Sequence, residues 1–127
     1  MKVLFDAIAA RWLATMGGAT LCNTEADADE VMPYTVYSLV GNVPDMTGNF
    51  TDDDEDCLIQ FNIFSDTDNN LEILAVFEAL KTAFDKFNLV TVDYKTISLV
   101  RGNANLIKVE QKWQLNVLYR LVAQKNR

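Results

Sequence analysis

Five consecutive acidic residues at positions 52–56 are the part of this sequence with the most obvious capacity for chemistry. The first, third and fifth of them reproduce the Asp-x-Asp-x-Asp opening of a calcium-binding loop. Such a loop also needs a glycine at its sixth position and a bidentate glutamate at its twelfth, but those positions hold Cys57 and Ile63. We therefore expect a solvated acidic loop and no metal site. The run consists of Asp52, Asp53, Asp54, Glu55 and Asp56.

The sequence offers little for catalysis. It contains no histidine, which is the usual general base near neutral pH. Cys22 and Cys57 therefore lack a histidine partner for thiolate chemistry, and we expect both thiols to be free. No glycine-rich phosphate loop, Cys-x-x-Cys pair or nucleotide-binding fingerprint is present. We predict a protein that is not an enzyme, with no catalytic residue and no cofactor.

Length and composition predict one domain over residues 1–127, because 127 residues with 50% hydrophobic and 23% charged side chains can bury a core without disulfides. The net charge of −7 repels nucleic-acid phosphates, so sequence-specific nucleic-acid binding is not expected. No stretch approaches the ~20 apolar residues that cross a bilayer. We expect a soluble protein made in a reducing cytosol.

Two elements are predicted before the acidic run. Leu4, Phe5, Ile8, Trp12 and Met16 fall on one arc of a first helix. Residues 34–40 are dense in β-branched and aromatic side chains and predict a strand. Residues 41–56, which include the acidic run, then form a long loop. Loops of this length are uncommon in compact domains and are usually functional or poorly ordered, so we expect this one to contact a partner.

A strand followed by a helix is the clearest local signal. Residues 57–64 alternate between apolar and polar side chains, which is typical of a strand with one wet face. Asn69 is then placed to cap a helix, with Glu72 as its capping-box partner three positions later. The apolar stripe of this helix consists of Leu74, Phe77, Leu80, Phe84 and Phe87.

Two further strands complete the predicted fold. Residues 95–101 and 106–122, joined by a turn at 102–105, predict an antiparallel hairpin, and residues 123–127 are expected to form a flexible tail. The predicted fold class is α+β in the order α-β-β-α-β-β. Two helices pack on one face of a mainly antiparallel sheet of about four strands, so that the apolar sides are covered.

Tyr34 and Tyr37 are candidate contact residues. They lie on opposite sides of their predicted strand, so one of them should be exposed. An exposed tyrosine on a small sheet is a common subunit contact.

Three segments carry a resemblance to a known family: Pro33-Tyr-Thr-Val-Tyr37, Ile59-Gln-Phe-Asn-Ile-Phe-Ser65 and Trp113-Gln-Leu-Asn-Val-Leu-Tyr-Arg120. With the helix from Asn69, their pattern and position resemble the tail-completion and tail-terminator (head-tail joining) proteins of long-tailed bacteriophages. The resemblance implies a small subunit that forms a ring, typically a hexamer, at the head-proximal end of the tail tube. There it would end tail polymerisation and join tail to head. Its implied partners are further copies of itself, the tail tube protein and the head-tail connector.

The resemblance also implies a location in the tail or neck region of the virion, and in the host cytoplasm during assembly. The acidic run would then line or rim the tube and repel DNA, so that DNA passes without sticking. Three alternatives stay open: a head-completion or connector protein of the same particle, an acidic host-enzyme inhibitor or DNA mimic, and a small-ligand domain or enzyme of general α+β type.

Overall fold

The computed structural model describes residues 2–16, 20–26, 31–42, 55–67, 69–85, 87–89, 91–110 and 112–125. Within these residues the chain forms two helices and six strands. In chain order they are α1 (Lys2–Thr15), β1 (Thr20–Asn23), β2 (Tyr34–Asn42), β3 (Glu55–Ser65), α2 (Leu71–Phe84), β4 (Asn88–Leu89), β5 (Tyr94–Val109) and β6 (Lys112–Lys125).

The six strands form one mixed, half-barrel sheet in the order β1-β2-β3-β6-β5-β4. β1 is parallel to β2, and every other neighbouring pair is antiparallel. The predicted fold class, two helices on one face of about four mainly antiparallel strands, was therefore wrong. β1 and β4 are four and two residues long, too short for alternation to reveal them, and the lengths of β5 and β6 make the molecule mostly sheet.

The predicted turn at residues 102–105 was also wrong. These residues belong to β5, and the register with β6 shifts between Arg101 and Ala104 as it does at a β-bulge. The chain reverses after Val109, which pairs with Lys112, and Glu110 takes a left-handed φ of 57° there. A glycine inside a strand indicates a bulge as readily as a turn.

Both ends of the predicted loop at 41–56 belong to strands, and residues 43–54 lie outside the described residues. Gly41 pairs with Leu58 as part of β2, and Asp56 pairs with Val122 as part of β3. Strand pairing therefore extends to residues that show no alternation of apolar and polar side chains.

The flexible tail predicted at 123–127 begins too early. β6 continues to Lys125, and Ala123 is fully buried between Glu55 of β3 and Ile97 of β5. Burial of a small apolar residue between two strands fixes this end of the chain in the sheet.

Both predicted helices are present. Leu4, Ile8 and Trp12 form the buried stripe of α1. On its exposed side the Lys2 ammonium lies 2.7 Å from the Asp6 carboxylate, four residues later.

The predicted capping box at the start of α2 was wrong, because the N-cap is Asn70, which makes no side-chain capping hydrogen bond. The side-chain oxygen of Asn69 accepts a hydrogen bond from the Leu71 N–H at 2.9 Å. Glu72 does not turn back to the cap, because its Oε1 accepts a hydrogen bond from Ser65 Oγ at 2.7 Å. The carboxylate thus ties the start of α2 to the end of β3. The buried side chains of the helix are Ile73, Leu80, Ala83 and Phe84.

The core is organised around Phe61, in the middle of β3. Its ring centroid lies 6.3 Å from that of Trp12, 5.4 Å from Phe84 and 5.7 Å from Tyr119. Phe61 is fully buried and so joins both helices to the two central strands through aromatic contacts at favourable separations.

We predict that Phe61→Ala lowers the free energy of unfolding by about 3–5 kcal/mol, because it removes a fully buried ring and leaves a cavity. Phe61→Leu should cost less, since it keeps more of the volume. Urea denaturation followed by circular dichroism measures both. Val92→Ala, at a residue that is 93% exposed, is the control and should stay within about 0.5 kcal/mol of wild type. A Phe61→Ala loss as small as the control's would contradict this description of the core.

Candidate interaction surface

Part of the acidic run is built into the sheet. Asp52, Asp53 and Asp54 lie outside the described residues, whereas Glu55 and Asp56 begin β3. The Asp56 carboxylate receives two hydrogen bonds from Arg120 of β6, at 2.6 Å from Nη2 and 3.0 Å from Nε. The two residues are diagonal neighbours across β3 and β6 on the face opposite the core.

This ion pair changes the electrostatics of the corner where β3 begins. The Arg120 guanidinium holds the pKa of the Asp56 carboxyl below its usual value, against the opposing effect of burial. At the adjacent residue, burial and the carboxylates of Glu55 and Asp56 raise the pKa of the Cys57 thiol to about 11. Cys57 is therefore a protonated, buried thiol at neutral pH and is unsuited to nucleophilic chemistry.

The two tyrosines lie on opposite faces of β2. Tyr37 is buried in the core, with its ring 6.2 Å from Phe61 and 5.2 Å from Phe5. Burial and the nearby Asp6 carboxylate raise the pKa of its phenol. Tyr34 lies on the outer face, where it is partly buried and packs 5.1 Å from Phe64. Of the two, only Tyr34 is placed to contact a partner.

A layer of uncharged amides covers the middle of the outer sheet face. Gln60 donates to Asn62 at 2.7 Å on β3, and Gln114 donates to Asn116 at 2.8 Å on β6. Asn62 and Asn116 are paired across the two strands. We call these four residues the amide face. A shallow cavity of about 200 Å³ opens beside them, lined by Gln60, Asn103, Asn105, Asn116 and Leu118.

Sequence reasoning missed a second polar cluster, which joins α2 to the long hairpin. Asp85, directly after α2, accepts a hydrogen bond from the Tyr119 hydroxyl at 2.5 Å and another from Arg101 Nε at 3.1 Å. Tyr119 is fully buried, and burial raises the pKa of its phenol, with a further contribution from Asp85. The phenol therefore remains a donor. Alternation along β6 placed Tyr119 in the core, but no local pattern links it to a carboxylate 34 residues away.

The largest cavity that we describe carries no convergent polar groups. It is a groove of about 330 Å³ lined by Arg11, Thr15, Glu78, Ala79, Thr82 and Ala83. Arg11 Nε donates to the Ala83 carbonyl at 2.9 Å, and the hydroxyls of Thr15 and Thr82 donate to carbonyls of their own helices. These groups are committed to the backbone and do not converge on a ligand.

The described part of the chain contains no group of three or more His, Cys, Asp or Glu residues able to hold a metal ion. None of its helices is long and apolar enough to cross a membrane. The polar side chains described above form hydrogen bonds and ion pairs within the sheet and between the sheet and α2.

No protein-family model matches this chain, and neither does any curated protein. Solved structures do match it, among them the following two. A chain from the virion of a native gene transfer agent (GTA) particle superposes with a TM-score of 0.68 at 16% sequence identity, over 98% of this chain and 96% of that one. A second chain, whose name carries no functional information, gives a TM-score of 0.71 at 10% identity, over 99% and 96%. At these identities the likeness shows a shared fold, and it extends over nearly the whole of each chain.

We predict that a double-mutant cycle of Asp56→Asn and Arg120→Gln gives a coupling of about 0.5–1 kcal/mol at pH 7, because the arginine end of the pair is exposed. The folded-state pKa of Asp56 is depressed, so the coupling is present above the unfolded-state pKa of about 3.9 and is lost as pH falls through the lower folded-state value. Urea unfolding at pH 7 and at low pH measures it. A coupling that persists unchanged in acid would contradict the pairing.

We predict that Tyr119→Phe lowers the free energy of unfolding by about 1–2 kcal/mol, because Asp85 loses a buried donor but keeps Arg101. Thermal and urea denaturation measure the loss. Tyr34→Phe, at a tyrosine outside this cluster, is the matched control. In an Asp85→Asn background the Tyr119→Phe loss should shrink, and an undiminished loss there would show that the hydroxyl acts through another group.

Proposed function

We propose that this protein is a structural subunit of a phage virion, which forms a ring at the head-proximal end of the tail tube, ends tail polymerisation and joins tail to head. The observation that carries the proposal is the likeness of fold, over almost the full length of both chains, to a chain from the virion of a gene transfer agent particle. The resemblance of the strand and hairpin segments to tail-completion and tail-terminator proteins supports the same role.

The described side chains favour binding to partner proteins over catalysis. Among the described residues, Cys57 is buried with a raised pKa, and the carboxylates of Asp56 and Asp85 are engaged by arginines. In such a protein, function resides in surfaces that fit partners. The proposed partners are further copies of the chain, in a ring of six, together with the tail tube protein on one side and the head-tail connector on the other.

The charge of the molecule suits a subunit of a DNA-conducting ring. A net charge of −7 disfavours adhesion of DNA, and the amide face adds a neutral polar surface. We assign the acidic residues 52–56 to the rim or lining of the channel, and Tyr34 to the contacts made by the outer sheet face. Asp56, held by Arg120, contributes less free charge there than an unpaired carboxylate would.

The two alternative functions, a head-completion or connector protein and a DNA mimic, would use these surface features differently. A head-completion or connector protein of the same particle would also form rings, but it would bind the connector and leave tail tubes uncapped. A DNA mimic presents free carboxylates at phosphate-like intervals, whereas four described carboxylates here, those of Asp6, Asp56, Glu78 and Asp85, lie in ion pairs within the chain. The ion pairs favour the assembly role over mimicry.

The proposal predicts that concentrated purified protein forms annular particles in negative stain, with a mass of about six chains by light scattering. Added to polymerising tail tube protein of the same virus, it should shorten the tubes and cap one end. The triple variant Asp52→Asn/Asp53→Asn/Asp54→Asn tests the channel assignment, because it should assemble normally but retain DNA in ejection assays. Rings that bind the connector and ignore tubes would favour the head-side alternative. A strict monomer that binds neither would contradict the proposal.

A further inference from the structure

Two strands of the sheet are only partly covered by their outer neighbours. β1 pairs with β2 as far as Tyr37, and β4 pairs with β5 no further than Ser98. In the described part of the chain, residues 38–42 of β2 and 99–109 of β5 therefore have no partner strand on their outer side. We call these segments the β2 edge and the β5 edge.

Exposed hydrophobic side chains concentrate on these two edges. Of the ten large hydrophobic side chains that are exposed among the described residues, six lie there. An unpaired strand edge that also presents apolar side chains is a template for pairing with another strand. The six, with their exposed fractions, are Leu39 (43%) and Val40 (52%) on the β2 edge, and Val100 (53%), Leu106 (36%), Ile107 (42%) and Val109 (56%) on the β5 edge.

We propose that the β5 edge of one copy pairs with the β2 edge of the next copy and so extends the sheet from subunit to subunit. This inference rests on the proposed ring function and names the surfaces that build the ring. Strand direction supports it. Successive antiparallel pairings from β2 through β3 and β6 to β5 leave β2 and β5 running in opposite directions, so a second copy laid alongside in the same orientation meets the first in an antiparallel pair.

A closed ring of identical subunits needs a heterologous interface, in which two different surfaces of the same chain meet. The β2 and β5 edges satisfy this requirement, because they lie toward opposite sides of one sheet. Pairing of a β5 edge with another β5 edge would instead give an isologous dimer and no ring.

Charge distinguishes these two pairings. The β5 edge carries Lys108 and no carboxylate, and its Arg101 is already paired with Asp85 of the same chain, so two β5 edges would bring their Lys108 ammonium groups together without a counter-charge. The β2 edge ends beside the start of β3, where Glu55 lies, since Asn42 pairs with Cys57, while the neighbouring Asp56 is paired with Arg120 of the same chain. The basic edge therefore matches the acidic corner of a second copy better than it matches itself.

Bulges limit the length of the contact. The register shift between Arg101 and Ala104 leaves residues 104–109 as the longest regular part of the β5 edge, and the β2 edge is five residues long with a shift between Leu39 and Gly41. We therefore expect about five residues to pair in each interface. A contact of this size suits a subunit that is monomeric when dilute and forms rings when concentrated.

Charge placed on the β5 edge tests the proposal. The double variant Ile107→Lys/Val109→Lys should raise the concentration needed for oligomerisation about tenfold or more, because each interface would bury uncompensated ammonium groups. The matched control is Leu13→Lys/Val92→Lys, at hydrophobic residues that are 77% and 93% exposed but lie on neither edge. It should assemble like wild type. Circular dichroism and the urea midpoint must match wild type for both, since the substituted side chains are on the surface.

Cross-linking identifies the partner edge and does not depend on a loss of assembly. In a Cys22→Ser background, one chain carries Leu39→Cys or Val40→Cys and a second chain of different mass carries Ile107→Cys or Val109→Cys. Mild oxidation of the mixture should give covalent dimers containing one chain of each kind. Either chain oxidised alone should give none.

The outcomes separate this inference from the proposed function. If wild type forms rings, the double-lysine variant forms them equally well and no mixed dimer appears, the edge pairing is wrong and the ring function stands. If mixed dimers appear but the oligomers are open chains and not closed rings, the edge pairing is supported and the proposed ring function is contradicted. If wild type forms no rings and the mixed cysteine variants form no covalent dimers, both are wrong. Dimers linked through two β5 edges would replace the heterologous contact with an isologous one.

Discussion

The antiparallel pairing of β3 with β6 is the interaction on which the rest of this structure depends. It runs without a register shift from Glu55 opposite Ala123 to Ser65 opposite Trp113. Because side chains alternate along both strands, this one register places the fully buried Ile59, Phe61, Ile63, Val117, Tyr119 and Leu121 on the core side and sends Gln60, Asn62, Asn116 and Arg120 to the other. A slip of one residue would exchange the two faces, and the aromatic cluster around Phe61 would lose its contacts with both helices.

Sequence pattern could predict this centre, because the central strands and both helices are long and each is buried along one side. Ile59, Phe61 and Ile63 are fully buried, as the alternation along β3 indicated, and Tyr119 and Leu121 of β6 are too. The same reasoning left β1 and β4 out of the predicted sheet, because their few residues are ordered by hydrogen bonds to longer neighbours and not by a pattern of their own. It also placed the hairpin turn at Gly102, where the strand bulges and continues.

The sequence alone could predict only part of the candidate site. The acidic run and the two tyrosines could be found from composition and spacing, but tertiary pairing decides what they do. Asp56 is tied to Arg120, Tyr37 is part of the core and Tyr34 remains on the outer face. The Asp85 cluster and the uncovered edges depend on which strands are neighbours, which no local window of sequence encodes. Long-range strand pairing therefore decides which residues share a surface.

The described polar side chains hold the fold together, and we propose that the exposed apolar edges of β2 and β5 bind other copies of the chain. Native mass spectrometry of concentrated wild-type protein tests this claim most directly. The account predicts one discrete closed oligomer in equilibrium with monomer, because a heterologous contact that closes leaves no free edge. A monomer at every concentration, or a continuous ladder of masses, would contradict it.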